Sequence, residues 1–359
     1  MSQRVIASSV FAALVFCAAE TASAGLLYID PIYGYQKTSN IQFALGKTTS
    51  GTMPLLLDVY QPTDIGQGKV QANRPAVVIQ DGGAWVSGDK ENGRVVQAAT
   101  YLTQRGYTVF IANYRQVGDS PAAPGPGPWN SLSPSSNSSG LGAGTFIFPS
   151  HNVIRNGIED FAAAITYVRN NAVLYGVNPN YIAGAGGSAG AINLLDLQYN
   201  GNTTAQPWRT QANLAFVGSM MGDWDKVVAG GAPLFMLNNA LDPLIFYNND
   251  VEPNLHNRLE SVGIYHEQWM QYPNVLDHNM HYDQYPLADT GNPYMTASYG
   301  DSSKLVMERA ADFLAYHFTP TGPINIVVPE PASVALLFLG IVSLIGATWR
   351  RPRRGNDKR

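Results

Sequence analysis

Cysteine is almost absent from this chain: Cys17 is the single one in 359 residues, and it lies within the first 24. A protein that loses that segment has no disulfide framework and no thiolate metal site. Charge is also scarce, at 13% of residues, and the basic side is the weaker one, with 22 Lys and Arg against 26 Asp and Glu. Residues 1–24 hold one basic and one acidic group, and residues 329–359 hold six and two. The stretch 25–328 is left with 15 basic and 23 acidic residues, a net of −8. Such a surface excludes nucleic acid as a partner. Long uncharged apolar runs are missing from the middle of the chain and occur only near its two ends.

Those two ends read as addresses. Arg4, the apolar stretch 10–19 and Ala22-Ser23-Ala24 before Gly25 have the layout of a secretory signal peptide with an A-x-A cleavage site. A lipoprotein reading would use Cys17, but bulky Phe16 precedes it where a small residue is expected. Residues 332–349 carry no charge and precede Arg350, Arg351, Arg353 and Arg354. Eighteen residues suffice for a transmembrane helix, and the arginines would hold its end on the cytoplasmic side. Pro329-Glu330-Pro331 introduces this run. The arrangement resembles the PEP-CTERM sorting signal of Gram-negative bacteria. That resemblance implies export, a transient inner-membrane anchor, a sorting protease as partner, and a final place at the cell surface or in the extracellular matrix.

Between the ends, about 300 residues form one large domain. Strands are expected at 55–60, 76–80, 107–112, 181–185, 214–217, 234–237 and 265–271. Helices are expected at 91–105, 154–175, after Ser188, and at 303–317. Strand and helix in alternation predict an α/β fold with a mostly parallel sheet covered on both faces. The segment 118–150 breaks the rhythm. It is rich in Pro, Gly, Ser and Asn, and reads either as a lid or substrate loop or as a disordered insertion.

The chemistry centres on Gly186-Gly187-Ser188-Ala189-Gly190, directly after an apolar strand. This G-x-S-x-G pattern reads as a nucleophile elbow, which lifts one serine out of a sharp strand-to-helix turn. Taken alone the pattern is weak. Acyl transfer also needs a base, a group to orient it, and donors for the developing oxyanion. Gln80-Asp81-Gly82-Gly83-Ala84-Trp85 is a glycine-rich turn after a buried strand. With the N–H of Ala189, Gly82 and Gly83 are the expected oxyanion donors, and Trp85 is a candidate for lining the substrate site.

Several segments together resemble the α/β-hydrolases of the carboxylesterase and lipase type. They are Leu57-Asp58-Val59-Tyr60-Gln61-Pro62, the 81–85 turn running on to Ser87-Gly88-Asp89-Lys90, Asn113-Tyr114-Arg115, and Tyr175-Gly176-Val177-Asn178-Pro179 leading to the elbow. The resemblance spans roughly residues 50–318. It implies an eight-stranded, mostly parallel sheet and a triad in chain order Ser, Asp or Glu, His. The family's turn usually reads His-Gly-Gly-Gly, so Asp81 and Ala84 are departures. A carboxylate next to an oxyanion site opposes negative charge unless it is paired or turned away.

Asp242 follows the strand 234–237 and occupies the place of the family's triad acid. Asp223 and Asp225 follow the preceding strand and are expected to be turn or pocket residues. The base comes from Asp277-His278-Asn279-Met280-His281. His278 lies at close to the family's usual distance after Pro273, and His281 is the competitor. The His-x-x-His spacing is a weak metal signal, and neither a metal nor a cofactor is expected. Gly184-Ala185-Gly186-Gly187-Ser188-Ala189 also fits a dinucleotide fingerprint, but residues 197–221 contain no Asp or Glu to bind a ribose. The expected function is an exported serine hydrolase acting on a small-molecule or polysaccharide ester. A non-catalytic surface or matrix binding module on the same fold is the alternative.

Overall fold

In this computed structural model the described residues are 26–67, 69–131, 149–200, 206–221, 224–239, 241–245, 254–270, 278 and 305–318. The expected signal peptide (1–24), residues 132–148 of the insertion, the sorting tail (329–359) with its 332–349 helix, and His281 lie outside them. Among the described residues no helix is long and apolar enough to cross a membrane.

Eight strands join in one sheet: β1 (Gly34–Thr48), β2 (Gly51–Thr63), β3 (Arg74–Gln80), β4 (Thr108–Ala112), β5 (Val177–Gly187), β6 (Ala212–Phe216), β7 (Leu234–Asn238) and β8 (His266–Met270). Their order is β1-β2-β4-β3-β5-β6-β7-β8. The β1–β2 and β2–β4 pairs are antiparallel. The other five pairs are parallel. This is the α/β-hydrolase architecture. β3, β4, β6 and β7 are buried along their whole length, which is why they read as continuous apolar runs.

β1 is absent from the sequence-based expectation. Most of its residues are exposed, and its first half is polar, so it lacks the alternation that marks a half-buried strand. It is an edge strand held by a long hairpin to β2. A register shift between Thr38 and Ile41 accommodates Asn40, whose φ is 62°. The Asn40 N–H donates to Asp58 on β2 at 2.9 Å.

The helices differ from expectation at their ends. α1 spans Gly93–Thr103 rather than 91–105, because Asn92 caps it by accepting from the Arg94 N–H. The helix expected over 154–175 is two: α2 (His151–Asn170) and a single turn, α3 (Ala172–Tyr175). Asn171 sits at the break, its side-chain amide donating to the Tyr167 carbonyl at 2.8 Å. Such local bonding offers the backbone an exit from the helix. Gly176 at φ 62° closes the second turn.

α4 (Ala189–Tyr199) is buried on every side. It is packed between the sheet and α2, so it has no solvent face to alternate with. Short α5 (Asn257–Ser261) and α6 (Val306–Phe318) complete the described α-helices. The parallel strands share one direction, so the ends of β3, β5 and β7 emerge at the same edge. Gln80 is level with Gly186, Gly187 with Phe216, and Phe216 with Leu237. Ligand sites in open α/β sheets collect at this carboxyl edge.

Candidate active site

Ser188 leaves the end of β5 at φ 49° and ψ −118°. That conformation is strained for a residue with a side chain and costs roughly 1–3 kcal/mol. Its surroundings force it. A Cβ on Gly186 would lie 2.4 Å from the Gly190 carbonyl carbon, and one on Gly190 would lie 2.3 Å from the Gln80 carbonyl oxygen. The glycines therefore let α4 start directly against β3 and β5. The Ser188 N–H donates to the Phe216 carbonyl at 2.9 Å, and its own carbonyl accepts from Ile192 at 2.9 Å. Its side chain makes no cap bond to α4, which leaves the hydroxyl available to a partner.

That partner is His278. Its Nε2 lies 2.7 Å from Ser188 Oγ. Its Nδ1 lies 2.7 Å from Asp242 Oδ2 and 2.9 Å from Oδ1. A carboxylate only accepts, so Nδ1 carries a proton, and in the neutral ring Nε2 accepts from the serine hydroxyl. The Asp242 side chain is 1% exposed and that of His278 is 19% exposed. The imidazole is thus reachable while its carboxylate partner is not. Asp242 Oδ1 also accepts from the Leu244 and Ile245 N–H groups, at 2.8 and 2.9 Å. These two backbone donors were not foreseen from sequence. They make the Asp-Pro loop a cradle that fixes the carboxylate.

The 81–85 turn stands next to Ser188. A Cβ on Gly82 would lie 3.1 Å from Ser188 Cβ. Gly83 has φ +96°, and a Cβ there would fall 1.6 Å from the Ser87 carbonyl oxygen, so no side chain fits. Ala84 and Trp85 also have positive φ, 55° and 57°. The Ala189 N–H belongs to the first turn of α4, where backbone donors have no partner within the helix. Glycine-turn and helix-start donors both border Ser188.

Asp81 is engaged by the segment that leads into α1. Its Oδ2 accepts from the Asp89 N–H at 3.1 Å and from the Asn92 side-chain amide at 3.0 Å. The carboxylate that replaces the expected histidine therefore ties the turn to the cap of α1. Trp85 needs a correction. It is 1% exposed within the core, with its indole N–H donating to Asn193 at 2.9 Å, so it packs the turn onto α4 and does not line a pocket. Asn193 in turn donates to Gln80 at 3.0 Å. These bonds link the turn, the end of β3 and the helix behind the serine.

The other motif residues prove to be supports. Arg115 donates to Asp160 and Glu159 on α2, each at 2.6 Å. Asp58 pairs with Lys37 and Lys90, at 2.8 and 3.1 Å. Asp223 and His281 lie outside the described residues, and Asp225 is exposed in a single 3-10 turn. His256 and His266 pair with each other at 2.7 Å. Among the described residues no group of three or more His, Cys, Asp or Glu side chains is placed to hold a metal ion. The described part of the insertion packs on the core. Trp129 is 6% exposed and tilts against Trp208, their ring centres 5.6 Å apart.

Comparison with known proteins agrees with this architecture. Residues 57–125 match the BD-FAE family, an esterase-like α/β-hydrolase domain, and residues 327–354 match the PEP-CTERM protein-sorting motif. No curated protein matches the chain by sequence. Among solved structures, Thermogutta terrifontis esterase 2 phosphorylated by paraoxon is similar. Identity is 16% and the TM-score 0.52, covering 80% of this chain and 95% of that one. The apo form of the same esterase gives 18% identity and a TM-score of 0.49, over 67% and 84%. At these identities the likeness is one of fold.

Proposed function

We propose that this chain is an exported serine hydrolase that cleaves carboxylic esters through an acyl-serine intermediate. The observation that supports it best is the continuous hydrogen-bonded line from Ser188 Oγ through both nitrogens of His278 to Asp242. The esterase-like match over residues 57–125 and the esterase neighbour of the same fold agree with it.

In this reading His278 Nε2 takes the hydroxyl proton as Ser188 Oγ attacks the ester carbonyl carbon. Asp242 holds the imidazole in the required tautomer and stabilises the imidazolium that forms. Negative charge grows on the carbonyl oxygen and is met by the N–H groups of Gly82, Gly83 and Ala189. Removing one such donor costs about 3–4 kcal/mol of transition-state stabilisation. The imidazolium protonates the departing alkoxide, and the alcohol leaves. Water, deprotonated by the same imidazole, then releases the carboxylic acid. The Asp89 N–H and the Asn92 side-chain amide hold the Asp81 carboxylate and partly offset its charge beside the oxyanion site.

The PEP-CTERM motif at 327–354 indicates export through a sorting system. Signal cleavage after Ala24, a membrane helix at 332–349 and removal of the tail by a sorting protease complete the proposed route. Hydrolysis of short-chain p-nitrophenyl esters by the purified protein, with Ser188→Ala as control, tests the function. Equal rates for the two proteins would refute it.

A further inference from the structure

Tyr114 follows β4 and is 3% exposed. Its hydroxyl donates to the Gly82 carbonyl at 2.5 Å. A carbonyl only accepts, so the direction of this bond is fixed. Burial, with the Asp81 carboxylate nearby, pushes the phenol far above its ordinary pKa. The group is therefore a donor at any working pH. No peptide bond among the described residues is cis. In a trans peptide the C=O and the following N–H point in opposite directions. Holding the Gly82 carbonyl on Tyr114 thus turns the Gly83 N–H to the opposite face. Gly83 is pinned at its other end too, since its carbonyl accepts from the Val86 and Ser87 N–H groups at 3.0 and 2.9 Å.

We propose that Tyr114 is a positioning residue for the oxyanion hole: its hydroxyl sets the plane of the Gly82–Gly83 peptide and so aims the Gly83 N–H at the oxygen of the carbonyl attacked by Ser188. The inference rests on the serine-esterase reading. Gly83 is a glycine at φ +96°, and without a Cβ its backbone has more torsional freedom than that of other residues. An aimed donor needs an outside anchor, and Tyr114 supplies it. A residue that merely packed there would support stability without discriminating the transition state from bound substrate.

The test uses the full chain with Tyr114→Phe and Gly88→Ala. Phenylalanine keeps the ring and removes only the donor. A Cβ on Gly88 would lie 2.4 Å from the Gly82 oxygen and 3.0 Å from the Tyr114 hydroxyl, so alanine disturbs the same contact from the other side. In both variants kcat on p-nitrophenyl butyrate is expected to fall roughly 10- to 100-fold with little change in KM. This is less than the 10²–10³ lost when a donor is removed outright. Labelling of Ser188 by a fluorophosphonate, in which charge builds on a phosphoryl oxygen in the same hole, falls in parallel. An active wild type with Tyr114→Phe within about threefold of it, or with KM raised and kcat unchanged, overturns this inference alone. A wild type that neither hydrolyses esters nor labels overturns the esterase reading and this one with it. Failure of both variants to fold also overturns it, since Tyr114 would then be a fold anchor.

Discussion

Asp242→Asn tests the proposed reaction machinery with the smallest change of shape. Two backbone donors, Leu244 and Ile245 N–H, point at Oδ1 from 2.8 and 2.9 Å. Neither can accept, so in the variant the amide oxygen must occupy the Oδ1 place. The NH₂ group then takes the Oδ2 place, 2.7 Å from His278 Nδ1. The amide oxygen also lies 2.9 Å from Nδ1, but its two lone pairs are taken by the backbone donors, so the nearer NH₂ makes Nδ1 the acceptor and moves the imidazole proton to Nε2. That proton points at Ser188 Oγ, 2.7 Å away, and the serine loses its base while the whole geometry persists. The expected loss is roughly 10⁴-fold in kcat, equivalent to about 5 kcal/mol of barrier. KM should stay close to the wild-type value, because no substrate contact is removed. Steady-state hydrolysis of a p-nitrophenyl ester, normalised by thermal melting to folded protein, measures it. A folded Asp242→Asn with kcat within about tenfold of wild type would refute the reasoning.

The sheet was readable from sequence because its central strands are buried on both faces and carry unbroken apolar runs. β1 was not, since an exposed polar edge leaves no periodic trace and its pairing is set by the β2 partner. The break between α2 and α3 was missed for another reason. The apolar spacing continues across it, and only the local bond of Asn171 ends the helix. At the site, the elbow and its glycines are legible because backbone crowding restricts residue type there. Asp242 and His278 come from chain order within the resemblance, and only coordinates place their nitrogen and oxygen atoms together. The supports around them were invisible as functional groups. Leu244 and Ile245 act through backbone N–H, which no residue type advertises. The roles of Tyr114 and Asn92 rest on contacts with residues 32 and 11 positions away in the chain. Trp85 was misread because an aromatic beside a catalytic turn suggests a pocket wall, whereas its indole N–H finds a buried acceptor on α4.

The remaining predictions concern the frame and its pH range. Gly190→Ala puts a methyl 2.3 Å from the Gln80 carbonyl oxygen and 2.6 Å from that of Asp81. Overpacking of this kind should destabilise by about 1–3 kcal/mol, read as a lower urea midpoint, and should also abolish fluorophosphonate labelling by tilting the elbow. Arg115→Ala leaves the Asp160 carboxylate buried without its guanidinium partner. The expected loss is about 3–5 kcal/mol, and an unchanged urea midpoint would contradict the anchoring role. The last prediction is a pH dependence of stability arising from His256. His256 is 2% exposed, and burial, with His266 beside it, lowers its pKa from 6.5 to about 4. His266 Nδ1 donates to the Ile264 carbonyl at 2.9 Å, and with both rings kept neutral by their lowered pKa values its Nε2 accepts from His256 Nδ1–H. The unfolded chain takes up a proton at His256 below pH 6.5, while the folded chain resists until about pH 4. Stability from this group is therefore complete above pH 6.5 and is lost as pH falls toward 4, by at most about 3 kcal/mol. Urea midpoints at pH 7.5 and 4.5 measure the effect, and His256→Asn should reduce that difference, the remainder coming from His266 and His317, whose pKa values burial also lowers. A wild type whose midpoint rises on acidification, or a variant with the same slope, contradicts the assignment.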